Sequence, residues 1–327
     1  MKTRSVLAAL LAASTLWAAQ PALAQAGSAA ATNAPIRLVV GWTAGGATDL
    51  LARQLATPMG RQLDQPVVVD NRPGAVGTIA QGEVARARPD GTTIILATNS
   101  TYAIAPHLIK PLPYAPDALV PVALVGASPL ILAVKPGLAV DSVKGLLELA
   151  RRDPGRLNYS SGGNGSTSHL ASELFKDLTH TAITHIPYRG GGPATLAVAA
   201  GEVDMGFVDI GVAMPLIKAG RLKPIAVSGS ARSPLLPNVP TVEEAGVPRF
   251  ESATKFAVFA PAGTPPATVE RLQAAVRSAA ANDEVRDKLR QQGIEMTAGG
   301  PDVLRKDVAE GTAKWGRLIG ERKLSLD

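Results

Sequence analysis

The chain has 327 residues, with 33 basic and 27 acidic side chains, a formal net charge of +6 and no cysteine. The absence of cysteine excludes disulfides, thiol catalysis and iron–sulfur clusters. The basic residues form no Lys/Arg run of the kind that binds nucleic acid, and an aromatic content of 4% is too low for a sugar-stacking cleft.

The N-terminus has the three parts of a secretory signal. Residues 2–4 include two basic side chains, residues 6–19 form an uncharged apolar run, and small residues lead to a cleavage position after Ala24. A cut after Ala26 fits nearly as well. The apolar run is shorter than the roughly 20 residues that a membrane-spanning helix needs, which favours a cleaved signal over an anchor.

These features predict a signal peptide at residues 1–24 and a flexible leader at 25–34. No later segment is a long uncharged apolar run, and without cysteine no lipid can be attached at the cleavage site. We therefore expect a soluble, unlipidated protein that is exported from the cytoplasm.

From Ile36 onward, short β-branched runs alternate with longer helical runs. The predicted strands, in chain order, are 36–40, 66–69, 93–98, 130–134, 157–160, 184–186, 204–208, 222–228 and 256–260. The predicted helices are 48–63, 77–87, 142–152, 166–178, 194–200, 213–219, 265–281, 284–292 and 301–321. Thr48 is the expected N-cap of the first helix. The alternation predicts an α/β fold of two lobes with mostly parallel sheets and helices on both faces.

Ligands of such folds bind beyond the carboxyl ends of the strands, where three loops are rich in glycine. These loops are 41–48, 160–167 and 188–192. Glycines expose backbone N–H groups, and a helix N-terminus adds partial positive charge, so each loop could hold an anion without Lys or Arg. One such loop alone would be read as a tight turn, but the first two occupy matching positions in the two halves of the chain.

Enzyme motifs are largely missing from the sequence. The second loop lacks the lysine of a phosphate-binding loop, and there is no nucleophile elbow or paired-histidine zinc motif. His180 and His185 give only a weak metal signal. An exported hydrolase using Ser166 and His169 is a possible alternative, although a separation of three residues rarely gives nucleophile–base geometry. We therefore predict no catalytic residue, no metal and no cofactor.

Eight short segments in order resemble one family, the substrate-binding proteins of tripartite tricarboxylate transporters, also called Bug-type receptors. The resemblance extends from about Pro35 to the C-terminus. The matching segments are 44–49 with 52–53, 69–75, 89–91, 159–162, 186–191, 201–204, 240–246 and 260–265.

The resemblance implies a type II-like periplasmic-binding-protein fold, in which two lobes close on a ligand in the cleft between them. It places lobe 1 at 35–128, an inserted lobe 2 at 129–250, and a return to lobe 1 at 251–327. Family members bind small carboxylates through loops of both lobes, partly by backbone amides. The ligand-binding residues expected on this basis are Trp42, Thr43, Gly45, Gly46, Ala47, Thr48, Asn99, Ser161, Gly162, Ser166, Thr167, Asp209 and Lys255.

The roles of two of these residues stay open at the sequence level. Asp209 suits a ligand with a hydrogen-bond donor, or it simply caps a helix. Lys255 stands where the family often has tryptophan, so it either faces the ligand as a cation or is a solvated lysine on an edge strand. Gly41-Trp42 is a second departure, because the family often has Pro-Phe there.

The resemblance implies a receptor that is secreted across the inner membrane into the periplasm, captures a mono-, di- or tricarboxylate and delivers it to integral-membrane transporter subunits. We expect a monomer that performs no covalent chemistry and does not bind nucleic acid. A sensor that reports ligand occupancy to a membrane signalling partner is an alternative, because it would use the same cleft.

Overall fold

The computed structural model describes residues 34–115 and 117–326. The predicted signal peptide and all of the predicted leader except Ala34 lie outside the described residues. None of the described helices is both long and apolar enough to span a bilayer.

Strands and helices alternate along the described residues. The strands are β1 (Ile36–Val40), β2 (Val67–Asn71), β3 (Thr93–Thr98), β4 (Leu119–Val134), β5 (Asn158–Ser161), β6 (Thr184–Pro187), β7 (Met205–Asp209), β8 (Lys223–Val227), β9 (Ala253–Pro261) and β10 (Glu295–Gly299). The helices are α1 (Ala47–Leu63), α2 (Thr78–Ala85), α3 (Ala105–Leu108), α4 (Val143–Arg152), α5 (Thr167–Thr179), α6 (Gly191–Ala200), α7 (Ile210–Lys218), α8 (Pro266–Ala281), α9 (Asp283–Gln291) and α10 (Pro301–Arg322).

The long strand β4 is shared by two groups of strands. Its residues 119–129 pair with β9 in a group that also contains β1, β2, β3 and β10, which we call lobe 1. Its residues 130–134 pair with β7 and β8 in a group that also contains β5 and β6, which we call lobe 2. The parallel pairing expected from the β/α alternation links β2, β1 and β3, and likewise β6, β5 and β7. The pairs around β4 and β9 are antiparallel.

Helices cover both faces of each group of strands, so each lobe has two hydrophobic cores. In β1, Leu38 and Val40 pack into one core of lobe 1, and Val39 packs into the other. Successive side chains of a strand point to opposite faces, and all three are fully buried. The continuous apolar run of β1 is the pattern expected of a strand that is covered on both sides.

Four features of the fold differ from the sequence-based expectation. The first eleven residues of β4 were not predicted, because Pro121 and Pro129 argue against a strand, and the pairing of β4 with β9 does shift register next to Pro121. The short strand β10 was not predicted. The turn of π-helix at Ser100–Ile104 that leads into α3 was also missed. Helix α1 begins at Ala47 with Gly46 as its N-cap, so the expectation that Thr48 is the N-cap was wrong.

Candidate functional site

A cavity of about 90 Å³ lies between the two lobes, at the ends of several strands. The residues that line it are Trp42, Thr43, Gly46, Ala47, Thr48, Thr98, Ser100, Leu130, Gly162, Ser166, Thr167, Ser168, Gly190, Gly191, Asp209 and Thr254. Nine of the thirteen residues expected to bind ligand are among them. Gly45, Asn99, Ser161 and Lys255 are not.

Four helices begin at this cavity. The first residues of α1, α5 and α6 line it directly, and α7 begins immediately after Asp209, which also lines it. The first N–H groups of a helix have no partner within the helix, and they carry the positive end of its dipole. The cavity wall therefore presents partial positive charge and backbone donors from both lobes.

The loop before α1 is held by Asp49. The Gly45 N–H donates to Asp49 Oδ2 over 2.9 Å, and Arg53 Nε donates to the same oxygen over 3.0 Å. Burial opposes ionisation of Asp49, but the hydrogen bonds from Arg53 and Gly45 outweigh it and lower its pKa below the ordinary value. Gly45 has φ +82°, a conformation that favours glycine. It shapes the loop, while Gly46 and Ala47 line the cavity.

The loop before α5 is held by serine hydroxyls. Ser166 Oγ accepts the His169 N–H over 3.2 Å as the N-cap of α5, and Ser168 Oγ accepts the Gly162 N–H over 3.0 Å. The His169 ring accepts the Gly165 N–H at Nδ1 over 3.1 Å. His169 thus bonds Ser166 through its backbone, and its Nδ1 is occupied by the loop. The hydrolase alternative needs a ring-to-hydroxyl contact between these two residues, and this arrangement does not provide it.

Ser161 lies behind the loop, in a stack of aromatic rings. Its hydroxyl contacts His185 Nε2 at 2.6 Å and accepts the Gly163 N–H over 3.1 Å. The His185 ring stacks between Tyr159 and His169, with centroid distances of 4.7 and 4.3 Å. Ser161 is fully buried, so it supports the loop from behind.

Asn99 joins three elements beneath the cavity. Its side chain donates to the Ala253 carbonyl over 2.9 Å and accepts the Lys255 N–H over 3.1 Å. The Thr167 hydroxyl donates to Asn99 Oδ1 over 3.1 Å and lies 2.9 Å from the Ser100 hydroxyl. Because α5 belongs to lobe 2 and β3 ends in lobe 1, these hydroxyl contacts link the lobes at the cavity wall.

Asp209 ends β7 and directly precedes α7, but its side chain makes no capping hydrogen bond. Its Oδ2 packs against Gly191, where an added Cβ would come within 2.2 Å of it. Burial raises the pKa of this carboxyl group. Of the two possibilities for Asp209, helix capping is the one that the structure does not show.

Lys255 lies outside the inter-lobe cavity. Its ammonium group pairs with Asp307 of α10, and both side chains line a separate cavity of about 180 Å³. Strand β9 lies between β3 and β4, so Lys255 is also not on an edge strand. Successive side chains of β9 point to opposite faces, so Thr254 lines the inter-lobe cavity and Lys255 faces away from it.

Seven residues that line the cavity were not predicted from the sequence. They are Thr98, Ser100, Leu130, Ser168, Gly190, Gly191 and Thr254. Gly190 and Gly191 belong to the third glycine-rich loop, which was noted but from which no residue was selected. Leu130 and Thr254 could have been found only from the register between β4 and its neighbours, which the sequence does not reveal.

Comparison with known proteins identifies the family. Residues 51–324 match the family model described as the tripartite tricarboxylate transporter family receptor. The chain belongs to this receptor family. The family consists of solute-binding receptors, which agrees with the expectation that the chain binds a ligand without transforming it.

The relatives and the solved structures that are similar to this receptor cover most of its length. Protein BugT of Bordetella pertussis is 35% identical over 312 residues, which is 93% of this chain and 96% of that protein. A protein of R. palustris solved with adipate is 37% identical, with a TM-score of 0.82 over 88% of this chain and 96% of that one. MatC from Rhodopseudomonas palustris with bound malate is 33% identical, with a TM-score of 0.80 over 87% of this chain and 98% of that one. These similarities confirm the two-lobed α/β fold.

Proposed function

We propose that this protein is a periplasmic receptor that captures a small carboxylate between its lobes and delivers it to the membrane subunits of a tripartite tricarboxylate-type transporter. The proposal rests on one observation above all, which is that helices of both lobes begin at the same small cavity. Helix N-termini from opposite sides can hold both oxygens of a carboxylate.

The chemistry of the cavity supports recognition by neutral donors. Thr48, Ser100 and Ser168, which carry hydroxyl groups, are among the residues that line it, and the described lining contains no lysine or arginine. Carboxylates are well matched by backbone N–H and hydroxyl donors. Two similar proteins are solved with adipate and with malate, which are both carboxylates, and this supports the same ligand class for this chain.

The contacts between lobes support closure on the ligand. Thr167 of α5 reaches Asn99 and Ser100 at the edge of the cavity, so a ligand there would contact both lobes beside an existing link. A ligand that binds the closed form better shifts the population toward it. We propose that the closed, loaded monomer is the form that meets the transporter.

Thermal-shift measurements and calorimetry with acetate, malate, adipate and citrate test carboxylate capture, with glucose and glycerol as neutral controls. At about 100 times its dissociation constant, a true ligand adds roughly 2.7 kcal/mol to stability, which raises Tm by several degrees. We expect at least one carboxylate to do this, and its affinity to depend weakly on salt because the donors are neutral. A rise in Tm with only the neutral solutes would contradict carboxylate capture.

Uptake into vesicles that contain the transporter's membrane subunits tests delivery. We expect uptake of the captured carboxylate to require this protein. If the ligand binds but uptake is unchanged by the protein, delivery is wrong and the sensor alternative gains support.

A further inference from the structure

Asp209 is an unusual residue for a cavity that binds an anion. Of the described residues that line the cavity, it alone has an acidic or basic side chain, a carboxyl group. The other side chains there are hydroxyl-bearing or apolar, or are absent at glycine. In its ionised form, Asp209 would repel an anionic ligand that offers it no hydrogen-bond donor.

The protein gives the Asp209 carboxylate little direct compensation. No described lysine or arginine forms an ion pair with it, and its side chain does not cap α7. The start of α6, next to its Oδ2 at Gly191, and the start of α7 supply partial positive charge. A buried carboxylate is costly unless hydrogen-bond donors or an opposite charge satisfy it. The cavity is where such a partner can approach Asp209.

The cavity is divided in a way that suits a bifunctional ligand. The helix starts at Gly46–Thr48 and at Ser166–Ser168 offer donors and no charged side chain, so they match a carboxylate. Asp209 offers an acceptor. This arrangement depends on glycine at position 191, because an added Cβ there would collide with the Asp209 carboxyl group.

We propose that Asp209 determines specificity by accepting a hydrogen bond from the ligand, so that the receptor selects carboxylates with an amino or hydroxyl group. An ammonium group is favoured over a hydroxyl group, because it also neutralises the Asp209 charge. Carboxylates without a donor bind more weakly, because they leave Asp209 without a partner in the closed site. This inference rests on the proposed function, since it assumes that a carboxylate occupies the cavity.

Calorimetry with matched probes tests the proposal at neutral pH. Three series differ in chain length: propionate, lactate and alanine; succinate, malate and aspartate; and glutarate, 2-hydroxyglutarate and glutamate. Within each series the members differ only in the group at C2. In the series that fits the cavity, we expect the amino acid to bind at least tenfold more tightly than the unsubstituted acid, with the hydroxy acid between them.

The variant Asp209→Asn keeps the shape of the side chain and removes its charge, so it should reduce this preference to about threefold or less. Asp153→Asn is the matched control, because Asp153 is a half-exposed lobe 2 carboxylate that does not line the cavity, and it should keep the full preference. The ratio of the wild-type affinities for the amino acid and the unsubstituted acid tests the proposal even if Asp209→Asn fails to fold.

Three results would count against the proposal, in different ways. Equal or tighter binding of the unsubstituted acids by the wild type would overturn the donor preference and leave carboxylate capture intact. A preference that survives in folded Asp209→Asn would overturn the assignment to Asp209. Failure of all nine probes and of the carboxylates named above to bind would overturn the proposed function, and this inference with it.

Discussion

His169 and His185 are buried as neutral rings behind the cavity. Burial lowers the pKa of His169 to about 4 and, together with the neighbouring His169, lowers that of His185 to about 3. Between these values and about 6.5 the unfolded chain therefore binds more protons than the folded protein. Stability rises with pH in that window and is lost as the pH falls through it. For His169 alone the full effect is about 3 kcal/mol.

The variant His169→Asn should make stability less dependent on pH between about 4 and 6.5. An asparagine at this position can still accept the Gly165 N–H, so the loop keeps its support, while the titrating ring is removed. Chemical denaturation at a series of pH values measures the slope. His180→Asn is the control, because His180 is exposed and ends α5 in a left-handed conformation that asparagine tolerates. Equal slopes in the two variants would contradict the prediction.

The position of a side chain was predictable where residues close to it in the sequence determine that position. Ser166 and Thr167 were predicted from a glycine-rich loop that opens a helix, and both line the cavity. The direction of Lys255 was not predictable in this way. It depends on which side chains of β9 face the cavity and on Asp307, which is 52 residues away. Asn99 was expected to touch the ligand, but its amide holds the backbone of β9, a contact that only the folded chain reveals.

At the scale of elements, serine N-caps begin two helices of lobe 2 that have different surroundings. Ser166 caps α5 at the cavity, and Ser142 caps α4 by accepting the Gly145 N–H over 3.2 Å. The bonds are alike, but only Ser166 lines the cavity. Comparing the two serines therefore separates the contribution of an N-cap to stability from its contribution to ligand binding.

We expect Ser166→Ala and Ser142→Ala each to lower the free energy of unfolding by about 1 kcal/mol, the usual value of a lost N-cap. Only Ser166→Ala should weaken ligand binding, by about tenfold, because the start of α5 loses its fixed geometry as well as a hydroxyl group. Denaturation curves and calorimetry measure the two effects. An equal change in affinity for both variants would show that α5 does not act through its N-terminus.

Most elements were predicted to within a few residues, since the periods of strand and helix are clear in this sequence. Helix α4, for example, buries Val143, Leu146, Leu147 and Ala150 along one face. The elements that were missed carry weak local signals. Strand β10 is partly exposed and rich in small and polar residues, and it exists because it pairs with β4, some 170 residues earlier. Such pairing is a property of the fold and not of the local pattern.

At the scale of the whole molecule, α10 connects the lobes away from the cavity. Arg322 of α10 lies 3.5 Å from Glu173 and 4.0 Å from Asp177, both on α5. Glu173 is buried and also accepts hydrogen bonds from Tyr159 and from Lys176. The contact therefore joins the C-terminal helix to a charged cluster inside lobe 2.

We expect Arg322→Gln to weaken ligand binding by about two- to tenfold, although Arg322 does not line the cavity. The loss of the contact favours the open form, and apparent affinity falls with the fraction of closed protein. Arg317→Gln removes an exposed arginine from the same helix and should leave affinity unchanged. Small-angle scattering of the unliganded variants should show expansion for Arg322→Gln alone. Identical affinities for both variants would exclude α10 from closure.

The sixteen residues of β4 span roughly 50 Å, and both lobes complete their sheets on this single strand. A lobe produced separately would either lack β4 or carry the unpaired half of it as an exposed, aggregation-prone edge. Neither lobe is therefore expected to fold as an independent domain. The described residues also form one compact unit. Heating should therefore melt both lobes together in one transition, and a ligand bound at the cleft should protect the entire chain.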